Sequence, residues 1–292
     1  MPSPLDPKRL SRELEELRGE NSRLNDELSD LRILYQNTIE HGEAVEDQLA
    51  EANIELTAEK KKSDDLLLNI LPVHTANELK QSGHSPARSY DSATVMFTDF
   101  HGFTQISEKL TPTQLVAELD LCIRAFDAII GRYPIEKIKT IGDSYLCAGG
   151  LPLPNASHAL DIVSAALEFQ KYMGAQKRLR QKRGEVFFEM RVGIHTGPLV
   201  AGIVGVKKFA YDIWGDTVNT ASRMESSCVV GKINISGPTW ELVKHRFDCT
   251  PRGKIAAKNK GEIEMYFVEG ENAPAAPPAP PKPRAAKAKK PR

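Results

Sequence analysis

Over the first seventy residues, apolar side chains recur in two interleaved seven-residue series. One runs through Leu10, Leu17, Leu24, Leu31, Thr38, Val45, Ala52 and Leu66, the other through Leu14, Leu28, Tyr35, Leu49, Leu56 and Ile70. A single helix cannot bury such a stripe by itself, so residues 1–71 are predicted to form a long helix in a parallel coiled-coil dimer. Thr38 and Gly42 weaken the seam in its middle, and Glu59 and Ser63 weaken it near its end. Asn21 adds a polar seam position that fixes register at some cost in stability. Pro72 has no amide donor and ends the helix, leaving 72–89 as a connecting segment.

Beyond residue 90 the apolar period switches repeatedly. ATVMFTDF, KIKTI, SYLCAG, KINISG and EIEMYFVE read as strands. Val186, Phe188, Met190, Val192 and Ile194 alternate with Phe187, Glu189, Arg191, Gly193 and His195, the pattern of a half-buried strand. Leu115, Leu119, Cys122, Phe126 and Ile129 share one helical face, as do Ile162, Ala166, Phe169 and Met173. Residues 90–269 are therefore expected to form one α+β domain. The remainder, 270–292, carries seven prolines and little to bury, so a disordered tail is expected.

Charge adds a polarity that the net value hides. Lys plus Arg and Asp plus Glu number 39 each, yet residues 1–71 hold nine basic against seventeen acidic residues, and 271–292 hold six against one. A solubilising role for the basic tail is preferred over nucleic-acid binding, which would weaken steeply with salt. No run of about 18 apolar residues and no charged-then-apolar leader is present, so neither a membrane span nor a secretory signal is expected, and a cytoplasmic protein is. Cys122, Cys147, Cys228 and Cys249 are scattered without a Cys-x-x-Cys pair, which argues against a zinc site and a disulfide framework.

Three stretches can carry chemistry. In ATVMFTDFHGFT an apolar strand ends on Asp99, a carboxylate suited to a hard cation. The amides of Gly102, Phe103 and Thr104 face phosphate oxygens if they open the next helix. In IEKIKTIGDSY, Asp143 follows Gly142 between two strand-like runs, at a hairpin tip. It is either a turn former or, with Asp99, one half of a site for two Mg²⁺ ions. In YDIWGDTVNTASR, Asp216 precedes a helical run as a candidate cap, and Asn219 and Arg223, four apart, share one helical face.

Together, FTDFHGFT, KIKTIGDSY and YDIWGDTVNTASR resemble the catalytic domain of the class III nucleotide cyclases, the adenylyl and guanylyl cyclases, over about residues 90–269. The coiled coil and the segment through Leu71 and Pro72 resemble the signalling helix and transducer element that precede such domains. The resemblance implies a ferredoxin-like mixed sheet with flanking helices, and two domains paired head to tail around shared clefts. It assigns Asp99 and Asp143, with the Phe100 carbonyl, to two Mg²⁺ or Mn²⁺ ions. Lys139 and Asp212 fall on the purine-reading positions, Asn219 and Arg223 on the pair that orients ribose and stabilises the transition state, and Arg191 and Lys258 near the triphosphate. Lys258-Asn259-Lys260-Gly261 departs from the usual Lys-Gly-Lys-Gly, so either lysine can take that role. Lys139 and Asp143 of one chain would then serve different nucleotides.

Adenine offers an amino donor and an N1 acceptor, which complement a carboxylate and an ammonium; guanine reverses that edge. The expected activity is therefore that of an adenylate cyclase, converting ATP to 3′,5′-cyclic AMP and pyrophosphate as a homodimer. A guanylate or mixed-specificity cyclase and a catalytically weak nucleotide-binding scaffold are the alternatives. His195 is expected to be a hydrogen-bonded structural histidine. No sensory domain stands ahead of Leu10 in this sequence, so the coil is expected to receive a signal in trans, to be cut from a longer receptor, or to serve only in pairing.

Overall fold

The computed structural model describes residues 7–205, 210–257 and 260–272. It divides into two units, Met1–Asn69 and Ile70–Arg292. In the first, one helix, α1 (Pro7–Leu68), runs for 62 residues and buries none of them. Leu17, Leu31, Leu49 and Leu66 of the seven-residue stripe are all more than half exposed, an apolar seam without cover in the single chain.

The second unit begins with α2 (Val73–Ser82), a helix where only a connector was expected; it ends on Gly83 in the left-handed conformation. The sheet follows. β1 (Arg88–His101) starts five residues before the expected run, and the capped helix α4 (Pro112–Ile130) comes after the single turn α3 (Phe103–Ser107). β2 (Ile135–Ile141) and β3 (Ser144–Gly149) form a hairpin closed by Gly142 and Asp143. Then come α5 (His158–Arg183), β4 (Glu189–Ile203), β5 (Tyr211–Trp214), α6 (Asp216–Ser226), β6 (Ile233–Ser236), α7 (Gly237–Val243), β7 (Phe247–Ala257) and β8 (Gly261–Glu271). The order across the sheet is β2-β3-β1-β4-β6-β8-β7, with β5 added to β4. All pairs are antiparallel except β4 with β6, which makes the sheet mixed.

The core lies between one sheet face and α4, α5 and α7, where Met96, Phe100, Phe126, Phe169, Val192 and Ile194 are fully or almost fully buried. Phe126 stacks on Phe169 with ring centroids 4.1 Å apart. The cysteines behave as small hydrophobes: Cys122, Cys147 and Cys228 are buried, Cys249 is half-buried, and all four are free. The strand expected from Val186 begins only at Glu189, because the chain leaving α5 turns at Gly184 and is irregular until it pairs with His101.

Alternation places Arg191, Gly193 and His195 on the opposite face, against α6. A Cβ on Gly193 would stand 1.9 Å from the Glu225 backbone nitrogen, so only glycine lets α6 pack this closely. Gly193→Ala must push backbone aside and is expected to cost about 1–3 kcal/mol. Thermal unfolding checks this; an unchanged Tm would show that α6 is not clamped here. The tail expected over 270–292 falls outside the described residues from 273 onward.

Candidate functional site

Asp99, near the end of β1, and Asp143, in the β2–β3 turn, come from neighbouring strands, with Thr98 opposite Tyr145. Gly142 supplies the left-handed turn (φ 63°) that aims Asp143 back at β1. Burial first, and then the charge of Asp99, raise the Asp143 carboxyl above its ordinary range, while the Phe100 amide and its own amide pull the other way. Two carboxylates that repel each other at the rim of a polar cavity are the groups able to hold a divalent cation. That cavity, about 520 Å³, is lined by Asp99 through Gln105 and by Asp143. Gly102 caps α3, so Gly102, Phe103 and Thr104 open that helix as expected, and all three residues line the cavity. Among the described residues no group of three or more His, Cys, Asp or Glu is arranged to hold a metal ion by itself.

Arg191 faces Asp99 directly across the β1–β4 ladder, and its Nη2 donates to Asp99 Oδ2 at 2.5 Å. The same nitrogen lies 3.0 Å from Glu225 Oε1 as an ion pair without hydrogen-bond geometry; Glu225 Oε1 and, separately, Arg191 Nε are buried with no hydrogen-bond partner among the described residues. In this chain the guanidinium provides the positive charge beside the two aspartates.

Glu225 escaped sequence reasoning. It sits two residues after Arg223, on the opposite side of α6, among Thr217, Ala221 and Met224 on the buried face. A charged residue in that register was the available signal. Burial, opposed by Arg191 and aided by Asp99 and Asp143, pushes its carboxyl up to about 7. A carboxyl whose folded pKa is raised loses stabilising influence as pH climbs from its ordinary 4.5 through about 7. Glu225→Gln is thus expected to gain Tm relative to the parent between pH 5 and pH 8, and a pH-independent difference would contradict this.

Lys139 and Asp212 are brought together from β2 and β5. Lys139 Nζ donates to Asp212 Oδ2 at 2.5 Å, and the Ile213 amide holds Asp212 Oδ1 at 2.9 Å. A bulge between Lys137 and Lys139 turns Lys139 away from α4, where Lys137 pairs with Asp127.

Asn219 is exposed and Arg223 half-buried on α6, and neither side chain has a hydrogen-bond or ion-pair partner among the described residues. No bond joins them to Asp99 or Asp143 within the chain. Asp216 does not cap the helix: the N-cap is Gly215, and the Asp216 carboxylate instead accepts Lys260 Nζ. Lys258 lies outside the described residues. His195 is hydrogen-bonded through Nδ1 to Ser236 Oγ, 2.7 Å away.

Residues 85–270 match the family model for the adenylate and guanylate cyclase catalytic domain. An adenylate cyclase of Mycobacterium tuberculosis is 39% identical over 227 residues, 77% of this chain and 50% of that protein. The guanylate cyclase soluble subunit beta-2 of Rattus norvegicus is also 39% identical, over 214 residues, 73% of this chain and 31% of that protein. The chain thus spans half the length, or less, of these relatives. The solved guanylate cyclase domain of RhGC from Catenaria anguillulae, in complex with GTP, is 35% identical with a TM-score of 0.60, covering 63% of this chain and all of that one. With that match over most of its length and a mixed sheet flanked by helices, the chain belongs to the adenylate and guanylate cyclase catalytic-domain family.

Proposed function

We propose that the protein is an adenylate cyclase, forming 3′,5′-cyclic AMP and pyrophosphate from ATP in clefts completed by a second copy. The observation that carries base choice is the Lys139–Asp212 pair, a donor and an acceptor held within 2.5 Å of each other. A purine that displaces this contact meets an ammonium and a carboxylate side by side, which suits adenine N1 and its amino group. Relatives of both specificities are equally similar, so these two side chains and not overall likeness support ATP.

Asp99 and Asp143, with the Phe100 carbonyl, are the groups that would hold two Mg²⁺ or Mn²⁺ ions. Bound there, the ions would supply a more acidic ribose 3′-hydroxyl and charge to offset the triphosphate. The chain's own residues do the rest. The amides of Gly102, Phe103 and Thr104 and the guanidinium of Arg191 bind phosphate oxygens, with Lys258 or Lys260 adding charge. The 3′-oxygen bonds to the α-phosphorus as the bond to the bridging oxygen breaks. Asn219 orients the ribose, and Arg223 meets charge that grows only in the transition state.

Among the described residues of a single chain, Asn219 and Arg223 have no side-chain partner and no bond to the aspartates, which supports their acting in the cleft of a second copy. The uncovered seam of α1 supports the same pairing. Among the described residues no helix is long and apolar enough to cross a membrane, and we place the reaction in the cytoplasm.

The test is product identification from ATP and from GTP with either metal. Cyclic AMP is expected to dominate, and more cyclic GMP would overturn the assignment. The double replacement Lys139→Glu with Asp212→Cys is expected to move the product ratio toward cyclic GMP by about tenfold or more, since it leaves the adenine edge without its hydrogen-bond partners. An unmoved ratio would remove the pair from base reading.

A further inference from the structure

Two histidines outside the metal-side cavity are joined through the interior by an unbroken line of hydroxyls. His158 opens α5 and places Nδ1 2.7 Å from Thr94 Oγ1. Thr94 Oγ1 lies 2.8 Å from Thr196 Oγ1, which lies 3.0 Å from Thr239 Oγ1. Thr239 Oγ1 is 3.1 Å from Ser236 Oγ, and Ser236 Oγ is 2.7 Å from His195 Nδ1. Thr94, Thr239 and Ser236 are fully buried, and Thr196 and His158 nearly so. Thr94 and Thr196 are register partners on the face that α5 covers, whereas His195 lies on the α6 face. Thr239, in the first turn of α7, carries the line from one face to the other past the end of β6.

A proton count constrains this line. Its five links need five hydrogens, and the four hydroxyls supply one each. No other hydrogen bond engages these four oxygens among the described residues. The fifth hydrogen therefore comes from an imidazole Nδ1, and from one of the two only. With neither, one buried link would face two lone pairs; with both, two hydrogens would collide. The surroundings of both rings favour the neutral form, which has one N–H to place. Burial and then Lys260 bring His195 down to about 4, and burial lowers His158 against a partial opposing pull from Asp161.

We propose that Thr94, Thr196, Thr239 and Ser236 form a tautomer relay that keeps His158 and His195 in opposite tautomers, Nδ1–H on one and Nε2–H on the other. Neither end is fixed by the described residues. His158 Nε2 is 3.3 Å from Ser92 Oγ, which can give or accept, and His195 Nε2 has no hydrogen-bond partner among the described residues. A donor arriving at His195 Nε2 forces Nδ1–H there, turns all four hydroxyls toward His158, and makes His158 Nε2 a donor to Ser92.

The two ends lie at different places on the domain. Ser92 and His158 line a cleft of about 730 Å³ beside the start of β1, away from Asp99 at its other end. His195 adjoins the base of α6, where Thr217 Oγ1 donates to the Pro198 carbonyl at 2.6 Å. The relay converts hydrogen-bond polarity at the helix bearing Asn219 and Arg223 into hydrogen-bond polarity in a remote cleft, and the reverse. This inference does not depend on which nucleotide the protein uses.

Nitrogen NMR of the full chain carrying ¹⁵N-histidine reads both tautomers directly. The parent is expected to show Nδ1–H on one of His158 and His195 and Nε2–H on the other. Thr196→Val keeps the branched shape and cuts the line in the middle, leaving three links and three hydroxyl hydrogens, each with its only acceptor on the outer side. Both imidazoles are then expected to be Nε2–H, so the ring that carried Nδ1–H gives it up. Thr239→Val removes the next hydroxyl and predicts the same change, should the first variant not fold, while Thr94→Ser keeps the parent pattern. Matching tautomers in the parent, or an unchanged pattern in a folded cut variant, would overturn the relay.

Discussion

Asp99→Asn is expected to reduce cyclic nucleotide formation by on the order of 10²-fold or more, since even groups behind the ligands change metal affinity or activity by 10–100-fold. The replacement keeps shape and removes one charge from a site where Asp99 has two tasks. It stands beside Asp143 at the cavity, and it receives Arg191 at 2.5 Å. Arg191 already holds Asp99 Oδ2, so under the proposed function a cation and the guanidinium would share this carboxylate. Asn cannot hold either as well. Direct Mn²⁺ titration of the purified variant should show weakened binding at an unchanged fold. Full activity with normal Mn²⁺ binding would move the metal site elsewhere.

The second large effect concerns a side chain without a hydrogen-bond or ion-pair partner among the described residues. Arg223→Ala is expected to lower kcat by about 10²- to 10³-fold, the range for removing one fixed donor aimed at developing transition-state charge. KM for ATP should change far less, because a cation that meets charge only in the transition state adds little to ground-state binding. Arg223 makes no hydrogen bond or ion pair through its side chain among the described residues, so its loss should move Tm only slightly, through the packing of its half-buried stem. A raised KM with kcat intact would make it a substrate clamp instead.

Much of this was legible in the residues themselves, wherever a local pattern had one physical reading. The seven-residue stripe from Leu10 to Ile70 becomes α1, and ILE-GLY-ASP-SER of the hairpin turn, Ile141 to Ser144, becomes the β2–β3 corner because glycine and aspartate both favour it. What stayed hidden depended on distant partners. β7 is exposed along most of its length, and its Pro251, Arg252, Gly253 and Lys254 show no alternation, so only pairing with β8 makes it a strand. α2 is short and mostly polar, and Asp216 looked like a cap until Lys260 arrived from the far end of the chain. Gly193, a glycine in an alternating strand, and Glu225, an acid in the register of a buried helix face, carried signals that the sequence reading did not use. Their shared cause, α6 pressed onto β4 beside Arg191, needed the fold.

The claim that two copies complete one another is tested most directly by mixing inactive chains. Asp99→Ala and Arg223→Ala chains, combined one to one with verified exchange, form mixed dimers in half of all cases. Each mixed dimer has one cleft with both lesions and one with neither, so about a quarter of parental activity should return. Recovery to that level is the predicted result. Complete exchange with no recovered activity would mean that the aspartates and Arg223 serve the same nucleotide within one chain, and would contradict the account.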